Sequence, residues 1–410
     1  MKRYLNFGIS ILYSAIIGAF VGFITWLFLT LAYGGIDLIW YDFIFKFNSK
    51  FLVFAVCVIG GVLVGLIQKY LGKYPKTMPV VLGEFKEKKS VEYKSIPKGV
   101  LAAFTVLWSG ASLGPEAALT GIIGGLATLA GDFLKFGLKR RKIDKELEEI
   151  LTESSMEATI GLIFGTPLYG FYNLINDKSK ISIKRAKIII YTVTIAVGFA
   201  VFLFLSKIDN RASFIKYFGD TIIGQREVIF LIPLFAVGIL ATFYYNALGT
   251  LLHKIFKPLE NYKVIKAIIG GVVLGGLAIT VPYILFSGEG TLEDLIVNWQ
   301  SVSVITLLLI FAFKLVATEV CLSTGWLGGH IFPVMFSGAA LGYAVSVIFN
   351  INPVFATCVI MTTFLAGVMR NALIAIFLLV FFFPINLTIY LIASAFACKF
   401  VFDKIFEVKK

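Results

Sequence analysis

Gly110-Ala-Ser-Leu-Gly-Pro-Glu-Ala-Ala-Leu-Thr-Gly121 sets glycines, a proline and a single carboxylate in the middle of an apolar chain. Gly110 and Gly114 permit backbone angles that other residues avoid, Pro115 suits the first helical position, and Glu116 then stands at the positive end of a new helix. An ionisable group at membrane depth is costly and by default marks an ion or proton pathway. From this stretch alone Glu116 has two readings: it complements its own helix dipole, or it carries function.

The surroundings put the stretch in a bilayer. Of 410 residues, 59% are hydrophobic and 15% charged, and the mean hydropathy is +0.91. These values exclude a soluble globular domain and predict an all-α integral membrane protein. Apolar runs at about 6–32, 50–71, 97–110, 117–134, 186–206, 227–252, 265–286, 302–320, 331–349, 353–369 and 373–402 approach or exceed the roughly 20 residues of a spanning helix. They predict roughly ten or more helices, some short or broken, with the last run long enough for more than one. The first run is too long for a signal-peptide core and lacks a convincing cleavage site.

A net charge of +13 could point to nucleic acid, but the cations lie in polar gaps between the apolar runs, at 69–98, 135–145, 178–187, 254–266 and 404–410. By the positive-inside rule these gaps are cytoplasmic, as is the amino terminus with Lys2 and Arg3; the gaps at 33–45, 208–226 and 288–299, poor in Lys and Arg, lie outside. The expectation is a multi-pass protein of the cell membrane, surrounded by lipid and binding no nucleic acid. Cys57, Cys321, Cys358 and Cys398 sit in apolar stretches without paired spacing and read as packing residues. With only His253 and His330 available, no metal or haem site is expected, and no other cofactor is implied. There is no HExxH, no pair of facing intramembrane aspartates and no serine with a usable histidine, so a transporter or channel fits better than an enzyme.

The chain also repeats itself. Residues 59–66, I-G-G-V-L-V-G-L, return as I-G-G-V-V-L-G-G-L at 269–277, an offset close to 210. Ser109-Gly-Ala-Ser-Leu-Gly-Pro-Glu116 has a looser echo in Ser323-Thr-Gly-Trp-Leu-Gly-Gly-His330, and Thr166-Pro-Leu-Tyr-Gly-Phe171 in Asn371-Ala-Leu-Ile-Ala-Ile376. The break near Lys76 corresponds to Ser287-Gly-Glu-Gly290. The order predicts two homologous membrane halves, 1–208 and 227–405, joined by a connector at 209–226. Interrupted helices at matching positions of two halves point to a site near the midplane, at the repeat interface. Pro79, Pro115 and Pro333 each follow irregular backbone into a first helical turn, where free N–H groups and a positive dipole end can hold an anion. Kinks and close packing by Gly and Pro are the plainer reading of the same residues.

In this order the breaks resemble the CLC family of chloride channels and proton-coupled anion antiporters. Its three hallmarks are GSGIP, GREGP followed by a glycine, and GxFxP. Gly114-Pro115-Glu116-Ala117-Ala118, with Gly121 and Gly124 after it, stands at the second. Gly329-His330-Ile331-Phe332-Pro333 stands at the third, and the first is eroded to Pro75-Lys76-Thr77-Met78-Pro79. Phe164-Gly-Thr-Pro-Leu-Tyr-Gly170 matches the segment after the second hallmark, and the likeness spans about residues 10–402. The resemblance implies a CLC-like fold of two inverted-topology repeats built from many tilted and broken helices, assembled as a homodimer. It implies transport of a small inorganic anion, chloride or another halide, by exchange with protons. Glu116 matches the gating glutamate; the backbone of His330, Ile331 and Phe332 matches groups that face the anion; Lys76, Thr77 and Met78 match the segment lining the inner pathway. Counting on from Pro167, Asp177 matches the internal proton-relay carboxylate, which together with Glu116 would form the proton pathway.

The departures from the family are as informative. Lys76 stands where the family supplies a serine hydroxyl; it either points into the pathway, drawing an anion or holding Glu116, or snorkels to the cytoplasmic surface. The tyrosine of the family's final helix is replaced by Ile405 or Phe406. His330 adds a titratable ring to the third hallmark. These changes leave open a fluoride/proton antiporter, a passive anion channel, and a member that keeps the fold without transport. The chain ends soon after its last helix, so the paired cytosolic regulatory domains of some members are not expected. Glu319 is expected in a buried pair with a lysine, Lys314 being the near candidate, or in the repeat interface; Glu157 is expected at a helix start near the cytoplasm.

Overall fold

The structure, a computed structural model, describes residues 2–137, 145–175, 181–208 and 217–407. The helices are α1 (Lys2–Ile36), α2 (Lys50–Tyr70), α3 (Met78–Lys88), α4 (Ile96–Trp108), α5 (Glu116–Gly137), α6 (Lys145–Ile163), α7 (Tyr172–Ile175) and α8 (Ile181–Ile208). They continue as α9 (Gln225–Phe256), α10 (Lys263–Thr280), α11 (Glu289–Asn298), α12 (Val304–Ser323), α13 (Ile331–Phe349), α14 (Pro353–Met369), α15 (Ala372–Leu379) and α16 (Thr388–Glu407). Among the described residues, eight helices are long and apolar enough to cross a bilayer, and α4 and α14 are shorter apolar helices, the mixture of full and broken spans that the sequence predicts.

Two of the gaps placed outside are helical. Residues Asp37–Ile44 continue α1 as a π-turn, and most of 288–299 is α11. Trp40 explains the first: its ring is fully buried and its Nε1 donates to Trp108 O at 2.8 Å, so the polar gap folds inward around one large aromatic. Pro115 lies one residue before α5, its carbonyl accepting from Leu119 N at 3.0 Å; Pro79 and Pro333 do fall in first helical turns.

Two compact units divide the chain. Residues 1–35, 74–103 and 115–215 form one, and 36–73, 104–114 and 216–410 the other. Neither is a continuous half, because segments 36–73 and 104–114 cluster with the later chain. In the first unit α1 packs on α8, Gly18 against the backbone of Thr194 and Gly22 against that of Gly198. Val81, Phe85, Val91 and Met156 form an apolar cluster that joins α3 to α6.

In the second unit the repeated glycine motifs meet each other. A Cβ on Gly61 of α2 would stand 2.7 Å from Ala267 O of α10, and one on Gly271 would press still closer on Cys57 O. Gly65 faces Val264 Cα and Gly275 faces Phe54 Cα in the same way. Every residue in these contacts has its counterpart 210 positions along the chain, so the α2–α10 pair is two-fold symmetric in its own contacts. Removing the side chains lets the two backbones touch, and small residues are the usual means of close helix packing in a bilayer. Gly271→Ala is expected to lower stability by about 1–3 kcal/mol, since the obstructing atom is backbone and cannot rotate away. Thermal unfolding in detergent reads this directly. Gly276→Ala on the same helix, where a Cβ meets nothing within 4 Å, is the control and should match or exceed the parent.

The core of the second unit is α13 and α14, which are buried over most of their length. Asn352 caps α14 by accepting from Val354 N and Phe355 N at 3.0 and 3.1 Å, and Asn371 caps α15 likewise, so polar side chains satisfy amide groups that lipid could not. The described part of the connector is irregular up to the start of α9 and is fixed by Phe218 N donating to Phe382 O at 2.9 Å. All four cysteines are buried free thiols.

Candidate functional site

Within the second unit two breaks lie side by side. Gly114 N donates to Gly329 O at 2.8 Å and Gly329 N donates to Gly114 O at 2.9 Å, a single antiparallel rung between the segments ahead of α5 and α13. One turn of backbone earlier, Thr318 Oγ1 donates to Ser112 O at 3.0 Å, and its oxygen lies 3.1 Å from Ser112 Oγ. Gly110 has φ +82°, and a Cβ there would strike the Trp40 ring at 2.6 Å. The glycine therefore serves both the left-handed turn and the close approach of the indole. These contacts satisfy irregular backbone that bilayer lipid could not.

His330 occupies the N-cap position of α13, half-buried, its carbonyl accepting from Val334 N at 3.1 Å. Ile331 and Phe332 begin the helix and are buried, and the positive end of the α13 dipole points into the break. The His330 ring faces that of Tyr245, centroids 6.1 Å apart and planes 29° from parallel. The buried Tyr245 hydroxyl donates to the Glu319 carboxylate. Glu319 is thus partnered by a tyrosine of α9, not by Lys314. The Lys314 ammonium is instead surrounded by backbone, donating to Tyr283 O, Ile284 O, Leu285 O and Phe286 O at 3.4, 3.1, 3.0 and 2.7 Å. It turns toward the end of a helical segment, where carbonyls are left over, instead of toward a carboxylate five residues along its own helix.

Within the first unit Glu116 is the first residue of α5 and is 1% exposed. Its carbonyl accepts from Thr120 Oγ1 at 2.7 Å. Thr77 is the N-cap of α3, Met78 its first residue, and Pro79 follows. Lys76, 23% exposed in its side chain, donates to Glu84 Oε2 at 2.8 Å and Glu92 Oε2 at 3.1 Å. Partial burial disfavours the ammonium, but the hydrogen bonds and charges of the two carboxylates outweigh it and hold the group above the ordinary lysine value. Lys76 is therefore neither wholly snorkelled nor unaccompanied. A small cavity of about 30 Å³ opens beside it, with Tyr74, Pro75, Glu92, Ala117 and Ala118 among its lining; it has room for one or two water-sized species.

Two acidic positions end differently from their expectation. Asp177 lies outside the described residues. Glu157 is not at a helix start; it lies in the interior of α6, 1% exposed, with Oε1 accepting from Asn173 Nδ2 at 2.6 Å. Tyr245, Glu84 and Glu92 were not singled out by the sequence, although the two acids lie within 16 residues of Lys76 and opposite charges so spaced across a turn are a readable signal.

A family model described as voltage gated chloride channel matches residues 60–403. The chain belongs to the CLC family. CLC membership, with eight helices of spanning length among the described residues, makes it a multi-pass membrane protein of a family of anion channels and transporters rather than of enzymes. Among curated proteins, YfeO of Escherichia coli O7:K1 (strain IAI39 / ExPEC), provisionally named for ion transport, is 27% identical over 306 residues, covering 72% of this chain and 68% of YfeO. YfeO of Escherichia fergusonii is similar to the same extent. Among solved CLC structures, a CLC-type fluoride/proton antiporter superposes with a TM-score of 0.73 at 18% identity, over 96% of this chain and 95% of that one. A slow cyanobacterial Cl−/H+ antiporter gives 0.77 at 16% identity, over 96% and 93%. At these identities the likeness speaks for the CLC fold alone.

Proposed function

We propose that this CLC protein exchanges a small inorganic anion for protons across the cell membrane, with Glu116 as the gate; it follows Gly114-Pro115 directly, whereas GREGP carries its glutamate directly before that pair, where this chain has Leu113. The observation that carries this reading is a fully buried carboxyl at the first residue of a 22-residue helix, where the dipole that favours a carboxylate equally favours an anion competing for the same place. The start of α13 at His330, Ile331 and Phe332 offers amides of the same kind to the anion. Lys76, Thr77 and Met78 line the inner route beside the small cavity, and Asp177 remains the family-derived candidate for proton entry. Chloride is the first choice of cargo. Fluoride is the alternative, favoured by the polar His330 and by the loss of the usual serine. The halves 1–208 and 227–405 are read as inverted repeats, consistent with the symmetric α2–α10 contacts; the amino terminus is placed in the cytoplasm and the assembly is a homodimer.

Reconstitution into liposomes tests the reading: an imposed chloride gradient should drive protons in the opposite sense, and a fluoride gradient run on the same preparation ranks the two ions. Anion flux without proton movement indicates a channel, and no flux of either halide indicates a member that keeps only the fold.

The charge cluster at the inner route yields a signed expectation. Lys76→Met leaves Glu92 without this cation and Glu84 with only the exposed Lys88 at 3.6 Å, so anion flux should fall, and fall further at low ionic strength where the field reaches about 30 Å instead of about 8 Å. Stability should change by about 1 kcal/mol or less, because the pairs are partly solvated. Flux that is equal in the variant at both salt concentrations removes Lys76 from the route.

A further inference from the structure

Glu149, Glu153 and Glu157 recur at every fourth residue of α6 and so line one face of the helix, about 6 Å apart along its axis. Their exposure falls along the row: Glu149 and Glu153 are half-buried, and Glu157 is 1% exposed. At the buried end Glu157 Oε1 has its donor in Asn173 of α7, whereas Oε2 is buried with no hydrogen-bond partner among the described residues. The charged and titratable groups acting on it are Glu153 one turn back on α6, Lys86 near the end of α3, and the buried Tyr169 of the 3₁₀ turn Pro167–Phe171. Packing gives no reason for such a row. Like charges one turn apart repel, and a buried carboxyl with one open oxygen loses hydration that nothing replaces. Proton carriage does give a reason, because a group that must gain and lose a proton needs one oxygen held and the other open.

We propose that Glu157 is a proton-carrying carboxyl of the exchange cycle, supplied along the α6 face from Glu149 through Glu153. This inference rests on the proton-coupled reading above. At each hop an O–H bond breaks at one carboxyl and forms at the next, so the proton advances a turn as the negative charge steps back, and nothing is oxidised or reduced. Glu149 and Glu153 exchange protons with water at the half-buried end, and Glu157 Oε2 receives them at the buried end. Asn173 donates to Oε1 in both charge states and keeps the side chain aimed. Side-chain rotation or a bridging water spans the interval between turns. The route is distinct from Asp177.

The test compares the full chain with Glu157→Gln, which keeps the shape and the acceptor for Asn173 but cannot release a proton. Both are reconstituted in liposomes under a chloride gradient, or a fluoride gradient should fluoride prove the cargo, with proton and anion movement recorded together. Coupled movement in the parent and a fall in proton movement of about a hundredfold in Glu157→Gln, the low end of what a positioned proton-transfer group contributes, is the expected result. Parent and variant coupling protons at the same ratio overturns the inference and leaves the exchange reading intact. A parent that moves anions without protons overturns both. Loss of both fluxes in the variant counts for the inference only when Glu157→Asp, which returns the carboxyl one methylene short, restores them, and against it otherwise. Should Glu157→Gln not yield a monodisperse protein, Glu153→Gln carries the test from the half-buried step: slower proton movement supports the row, and unchanged movement overturns it.

Discussion

Glu116→Gln is expected to abolish proton movement while leaving a folded protein. The substitution changes almost nothing in volume and removes the one property the proposed gate requires, a carboxyl that is charged at one stage of the cycle and neutral at another. A positioned proton-transfer group contributes about a hundredfold or more to a rate, so residual proton movement should fall to background. The fold should not suffer. Glu116 is 1% exposed, and replacing a buried ionisable group by a neutral amide relieves the cost of keeping charge out of water. A thermal midpoint equal to or above that of the parent is therefore part of the prediction, and it separates loss of chemistry from loss of structure. The anion should still move, now without its proton, because the change removes only the titratable group. Proton coupling at the parent ratio in Glu116→Gln removes this residue from the cycle and leaves it as a complement to the α5 dipole, the other reading its position allows.

The second large effect is expected at Lys314, and it concerns folding. The residue is fully buried in α12, its ammonium held by four successive carbonyls from Tyr283 to Phe286 and standing 5.3 Å from the Phe336 ring centroid. Those carbonyls follow the end of α10, where a helix leaves acceptors without partners, and Phe286 adopts φ +60°, unusual for a side-chain-bearing residue. Phe286 N in turn donates to Gly110 O at 3.3 Å, and Thr318, one turn along α12, bonds Ser112. One ammonium thus secures the 281–289 break, and its helix secures the break before α5. Lys314→Met fills the space but strands several carbonyls away from water, each costing about 1–3 kcal/mol. With partial relaxation the total should reach about 3–5 kcal/mol, the range found when one partner of a buried charged contact is deleted. Thermal unfolding in detergent checks this, with Lys314→Arg as the milder change; a midpoint for Lys314→Met within a degree of the parent shows that the cap carries no load.

Sequence and structure agree best where chemistry is carried by the chain's own periodicity. The spans at 331–349 and 353–369 coincide with α13 and α14, because length and apolarity dictate both. The breaks at Gly114 and Gly329 were legible as glycine followed by proline within a few residues, and the burial of Glu116 follows from an apolar run on either side. What could not be read is partnership across the fold. Lys314 binds backbone oxygens, and a carbonyl acceptor leaves no mark in a sequence. Tyr245 lies 74 residues from Glu319 and 85 from His330, so only the packing of α9, α12 and α13 reveals the group. Glu157 was misplaced for a different reason. Its neighbours Glu153, Ser154 and Ser155 look like the polar opening of a helix, yet Ser154 and Ser155 are buried and return their hydroxyls to Leu151 O, so a polar stretch became an interior one. The four-residue spacing of the three glutamates was the available signal.

The rung between Gly114 and Gly329 also constrains how ion preference can differ within such a frame. It is made of two main-chain N–H···O=C bonds between residues without side chains, so its geometry cannot be retuned by exchanging one functional group for another. On the function proposed above, adaptation to a different anion then falls to the side chains that follow each glycine along the chain, Glu116 after Gly114 and His330 after Gly329. The rung itself is a fixed main-chain joint, so on that reading a new cargo is reached by changing neighbouring side chains while the backbone that joins the two breaks stays as it is.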